Sequence, residues 1–92
     1  MENLTQHAVT RMQQRGIKAQ TVEMLFHCGA KEHDHRGATI LYFDKRSRQR
    51  LSHQYGAEQL KKIERQLDAY AVIADNGAVV SVGHRTKRIN RN

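Results

Sequence analysis

Tryptophan is absent, and three tyrosines with two phenylalanines make up the whole aromatic content. So sparse a set does not predict a platform on which successive bases stack. A single cysteine, Cys28, excludes an intrachain disulfide and fits a reducing compartment. No apolar run approaches the ~20 residues that span a bilayer. The opening residues, Met-Glu-Asn-Leu-Thr-Gln, lack the basic start and apolar stretch of a signal peptide. No membrane partner is therefore expected, and the expected location is cytoplasmic. There is no glycine-rich phosphate loop and no paired arrangement of carboxylates. With 92 residues, the chain is too small to house a dinucleotide, and no cofactor is expected.

Positive charge is what the chain has in quantity. Sixteen Lys and Arg face nine Asp and Glu, for a net charge of +7 and a pI near 10.1. That balance points to RNA or another polyanion, or to an acidic protein partner. The length bounds the fold to one domain, 1–92, with residues 86–92 expected as a basic, partly disordered tail.

The pattern along the chain predicts an α+β fold. Thr5 is a natural N-cap for a first helix that runs to Arg15 and stops at Gly16. Leu4, Ala8 and Met12 form its apolar stripe. A second helix is predicted from about Lys18 to Cys28, with Gly29 as its C-terminal glycine. Residues 30–36 read as a weak edge strand, Gly37 as a turn, and Ala38 to Phe43 as a buried strand. Asp44 to Tyr55 is predicted helical, broken at Gly56, with helix resuming from Ala57 to Leu67. Ala69 to Ala74 and Ala78 to His84 form a hairpin about Asp75-Asn76-Gly77, with positive φ expected at both Asn76 and Gly77. The sum is helices packed on an antiparallel sheet.

Four constellations carry candidate chemistry. His7, Arg11 and Arg15 recur every fourth residue and align on one helix face. An imidazole with two guanidiniums can move a proton and hold a phosphate. His84 and Arg85 close the last strand, with Lys87 and Arg88 beyond. Alternation puts His84 on the side of Val80 and Val82 and Arg85 on the other face. Lys45, Arg46, Arg48 and Arg50 form a basic helical surface suited to phosphate contacts, or equally a solvated face. His27, Cys28, His33 and His35 raise the question of zinc, but their spacing is irregular and no metal is expected.

His7-Ala8-x-x-Arg11-Met12-x-x-Arg15-Gly16-Ile17 resembles the opening of a small bacterial domain family of unknown function. The run from Tyr70-Ala71-Val72-Ile73 through Asp75-x-Gly77 to Val80-x-Val82-Gly83-His84-Arg85 resembles the same family, one related to the RelE/ParE/BrnT toxins of the barnase–EndoU–colicin–RelE ribonuclease-like superfamily. The resemblance covers roughly Thr5 to Arg88. It implies N-terminal helices on a small twisted antiparallel sheet, RelE-like, with Lys45 to Leu67 as an extra helical segment. It also implies a metal-independent endoribonuclease, in which the ribose 2′-hydroxyl attacks the adjacent phosphate. On that reading His7, Arg11, Arg15, His84 and Arg85 are catalytic, and Lys45, Arg46, Arg48, Arg50, Lys87 and Arg88 bind nucleic acid, with an antitoxin as protein partner. The alternative is a non-catalytic basic module that binds nucleic acid or an acidic protein.

Overall fold

The computed structural model describes residues 4–34 and 36–85. The basic tail, with Lys87 and Arg88, and also His35 lie outside the described residues. Helix α1 (Gln6–Arg15) begins where Thr5 accepts the amide of Ala8 on its hydroxyl oxygen at 3.1 Å. The same hydroxyl donates to the Val79 carbonyl at 2.9 Å, so the cap also ties α1 to the last strand. Gly16 takes the left-handed conformation at φ 66° and ends the helix, its amide and that of Ile17 closing on Gln13 and Met12 carbonyls.

Helix α2 (Ala19–Cys28) follows, and buries Val22, Met24, Leu25 and Cys28. Gly29 does not take the left-handed cap conformation that such glycines favour. It is extended (φ −67°, ψ 153°). The chain then forms β1 (Ala30–His33) and β2 (Thr39–Tyr42). Asp44 starts α3 (Lys45–Lys62) through a capping box with Ser47: Asp44 Oδ1 accepts from the Ser47 amide at 2.8 Å, and Ser47 Oγ accepts from the Asp44 amide at 2.7 Å. Gly56 interrupts α3 with φ 85° and ψ 165°, as its position between two helical patterns predicts. The second half of α3 is shorter than the sequence pattern suggests: it ends at Lys62, and a 3-10 turn spans Glu64–Gln66.

The last two strands, β3 (Ala69–Ile73) and β4 (Val79–His84), complete a four-stranded antiparallel sheet in the order β1-β2-β3-β4. Their turn differs from the expected form. No residue but glycine has positive φ among those described, so Asn76 stays on the negative side and Gly77 alone crosses, at φ 91°. The Gly77 amide closes on the Ala74 carbonyl and the Ala74 amide on the Ala78 carbonyl, which makes a three-residue loop with glycine at the left-handed position. A bulge follows. Ile73 pairs with Val79 but Val72 pairs with Ser81, leaving Val80 unpaired. Val82 and His84 therefore share the core face with Val79, and Val80 is displaced from the alternation that grouped it with them.

Helix α1 packs on β4, and α2 packs on β2 and β3. The face they cover holds Leu41, Ala69, Ala71, Ile73, Val79 and Val82, all buried. Leu51 and Ile63 are fully buried and extend this core under α3 and the 3-10 turn. Each such aliphatic residue contributes roughly 1.5–3 kcal/mol by burial. No helix among the described residues is long and apolar enough to cross a membrane.

Candidate functional site

The 3-10 turn is fixed first, because it carries the site's carboxylate. Gln66 clamps it to the α1–α2 junction: Oε1 accepts from the Lys18 amide at 2.9 Å and the Thr21 hydroxyl at 2.6 Å, and Nε2 donates to the Gly16 carbonyl at 2.9 Å. Two residues later Asp68 stands where β3 begins. Its backbone carbonyl accepts the Arg85 amide at 2.7 Å. This brings the end of β4 beside Asp68, and Nδ1 of His84 lies 2.7 Å from Asp68 Oδ1.

The other ring nitrogen, Nε2, lies 3.1 Å from the carbonyl of Arg15 at the end of α1. The helix end leaves that carbonyl without an intrahelical partner, and a cation there is favoured by the helix dipole. Both partners of the ring are acceptors, so both contacts are satisfied only when both nitrogens carry protons. Burial pushes the His84 pKa down. The hydrogen bonds to Asp68 and Arg15 and the Asp68 charge outweigh burial and the opposing Arg15 charge, and the pKa stands above its ordinary 6.5.

A cleft of about 580 Å³ opens beside this pair, between the end of β2, the start of α3 and the β3–β4 ends. Tyr42, Asp44, Arg48, Leu67, Asp68 and Arg85 line it. The Arg85 guanidinium lies over the Tyr42 ring, 4.4 Å from the centroid. One of its nitrogens, Nη1, is buried with no hydrogen-bond partner among the described residues. Arg48 reaches the Leu67 carbonyl only at 3.5 Å, a long contact for a guanidinium. Asp44 is occupied by the helix cap, and the Ser47 amide above all holds its pKa below the usual value. Arg48 and Arg85 line the cleft with Asp44 and Asp68, and both carboxylates are already engaged, by the helix cap and by His84. The cleft thus favours an anion.

The sequence-derived constellations separate in space. His7 is exposed in the first turn of α1, and its Nε2 accepts from Arg11 Nε at 3.3 Å. Arg15, whose carbonyl meets His84, lies eight residues on, ~12 Å along the helix axis. His7 with Arg11 and His84 with Asp68 therefore occupy opposite ends of α1. Arg15 falls with His84.

The basic stretch of α3 divides as well. Lys45 is exposed in the first turn of the helix. Arg48 faces the cleft, whereas Arg46 and Arg50 line a separate groove with His53. Arg50 is also a structural donor, from Nε at 3.3 Å and Nη2 at 3.0 Å to the Cys28 carbonyl that ends α2. Burial raises the pKa of the Cys28 thiol, against the lowering effect of Arg50. No group of three or more His, Cys, Asp and Glu among the described residues is placed to hold a metal ion.

Asp68 and Tyr42 belong to the cleft and were not singled out from the sequence. Hairpin pairing about the Asp75–Gly77 turn is the signal that could have brought Asp68 to the end of β4. Residues 4–82 match the family described as Domain of unknown function (DUF4258). No curated protein and no solved structure matches the chain.

Proposed function

We propose that this chain, which belongs to the DUF4258 family, is an RNA-binding domain that seats a backbone phosphate between Arg48 and Arg85. The observation that carries the reading is Arg85. Its guanidinium lies over Tyr42, its backbone amide is anchored to the Asp68 carbonyl, and one guanidinium nitrogen is buried and unpartnered among the described residues. A preorganised guanidinium with donors to spare is suited to a phosphate, and it shares its cleft with Arg48 and with carboxylates that already have partners. The overall +7 charge would draw a polyanion toward it.

A second reading adds cleavage, as in a RelE-like, metal-independent endoribonuclease. The Asp68–His84 pair beside the cleft favours it, since His84 is one-third exposed and can handle a proton. The ribose 2′-hydroxyl would give its proton to water as its oxygen attacks the adjacent phosphorus, the bond to the 5′-oxygen would break, and a cyclic phosphate would remain. Arg48 and Arg85 would neutralise the developing charge, and His84 would give its proton to the departing oxygen after releasing the Arg15 carbonyl. His7 and Arg11 have no part in this scheme. An acidic antitoxin would, on this reading, cover the same cations.

The test is labelled RNA incubated with the protein in EDTA, with Arg85→Ala and His84→Asn alongside. Retention by the wild type that is lost in Arg85→Ala supports the phosphate seat. Undiminished retention in Arg85→Ala would remove it. EDTA-resistant cleavage that disappears in His84→Asn establishes the second reading, and intact RNA refutes that reading alone.

A further inference from the structure

The sheet face opposite the helices carries Ile40, Tyr42, Tyr70, Val72 and Ser81, all only half-buried. Tyr42 stands directly across from Tyr70, and Tyr70 across from Gly83. Gly83 leaves a blank in that row, and the Tyr70 side chain fills it. A Cβ at position 83 would stand 2.9 Å from Tyr70 Cε1 and 3.0 Å from its hydroxyl. Two residues past Gly83, Arg85 crosses over the start of β3 to lie on Tyr42. Two planar groups thus sit side by side on this face: the Tyr70 ring across Gly83, and the Arg85 guanidinium over Tyr42. Three tyrosines are few, but two of them are placed together.

We infer that this face stacks an unpaired base on Tyr70, so that the RNA bound in the Arg48–Arg85 cleft is single-stranded. The inference rests on the phosphate seat proposed above. Gly83 and Arg85, two residues apart where β4 ends, are separated by about 7 Å of extended chain, within the reach of one nucleotide from its phosphate to its base. Arg48 and Arg85 supply charge complementarity at the end of the face, and the aromatic ring supplies a sequence-tolerant platform. A base inside a duplex is already stacked and paired, and cannot reach Tyr70 without leaving the helix.

The experiment compares wild-type binding of a short single-stranded RNA, the same RNA with abasic ribose at every position, and the corresponding duplex. Because tryptophan is absent, tyrosine fluorescence reports stacking directly. The expected result is binding on the order of 10-fold tighter for the intact single strand than for either comparator, with quenching. Tyr70→Phe should keep that preference. Tyr70→Leu should lose it while retaining salt-dependent binding to the abasic strand. Equal affinity for all three RNAs would overturn the stacking inference yet leave the phosphate seat standing if Arg85→Ala still weakens binding. If Arg85→Ala binds as the wild type does, the phosphate reading itself has failed. A ligand-free protein whose sedimentation shifts from dimer to monomer in Tyr70→Leu would also overturn the inference, assigning the face to a second copy of the chain.

Discussion

His84 and Asp68 meet at 2.7 Å, joining the last residue of β4 to the residue just before β3. The second nitrogen of the same ring holds the end of α1. One imidazolium thus fastens the hairpin, the 3-10 turn and the first helix together. Its protonation is consequently coupled to folding.

The sign of that coupling is fixed by the raised pKa. The folded protein holds the proton to higher pH than the unfolded chain, whose histidine titrates near 6.5. The contribution is therefore complete below 6.5 and is lost as pH rises through the folded value. Urea midpoints should fall between pH 6 and pH 8.5 in the wild type, and that fall should shrink in Asp68→Asn. A wild-type profile no steeper than that of the variant would contradict the role assigned to the pair.

Gln66→Ala should destabilise the fold by about 1–3 kcal/mol, because it strands the Lys18 amide, the Thr21 hydroxyl and the Gly16 carbonyl together. Thr21 is fully buried, so its hydroxyl has little access to water as a substitute. Chemical denaturation gives the magnitude, and Thr21→Val in the same background should recover part of it.

Thr5→Ala removes both the cap of α1 and the hydroxyl bond to Val79. The expected loss is about 1–2 kcal/mol. Amide exchange should quicken first at Ala8 and Val9, since those amides close on Thr5.

Arg48 and Arg50 should part company despite being two residues apart. Arg48→Ala should lower the slope of log affinity against log salt by about 0.7, the value for one phosphate contact on a single strand, with stability unchanged. Arg50→Ala should cost about 1 kcal/mol of stability, since its guanidinium holds the Cys28 carbonyl. Titrating an RNA across several salt concentrations, beside thermal melts, separates the two effects.

Helices α1 and α2 and the final hairpin were legible because each carries local chemistry: a Thr cap, a glycine stop, an Asn-Gly turn. The break at Gly56 was legible for the same reason. What the sequence hid depends on pairing between distant segments. His7, Arg11 and Arg15 do align on one helix face, but His84 caps that helix's far end, and nothing in a spacing of four shows which end a strand will reach. Asp68 has no local signal in the sequence because its partner lies sixteen residues on. The tyrosines are few by number, and only the pairing of β2 with β3 sets Tyr42 against Tyr70.

The unpaired Val80 has an effect that reaches the far end of its strand. Were Val80 instead paired in plain alternation, every residue from Ser81 onward would change sides: Ser81 would point among Ala71 and its neighbours, Val82 would turn to solvent, and His84 would swing away from α1. The odd residue is what sets the parity of the strand. Loop lengthening or shortening on the turn side of Val80 leaves the distal half untouched, whereas one residue gained or lost beyond it would dismantle the histidine junction and the cleft together.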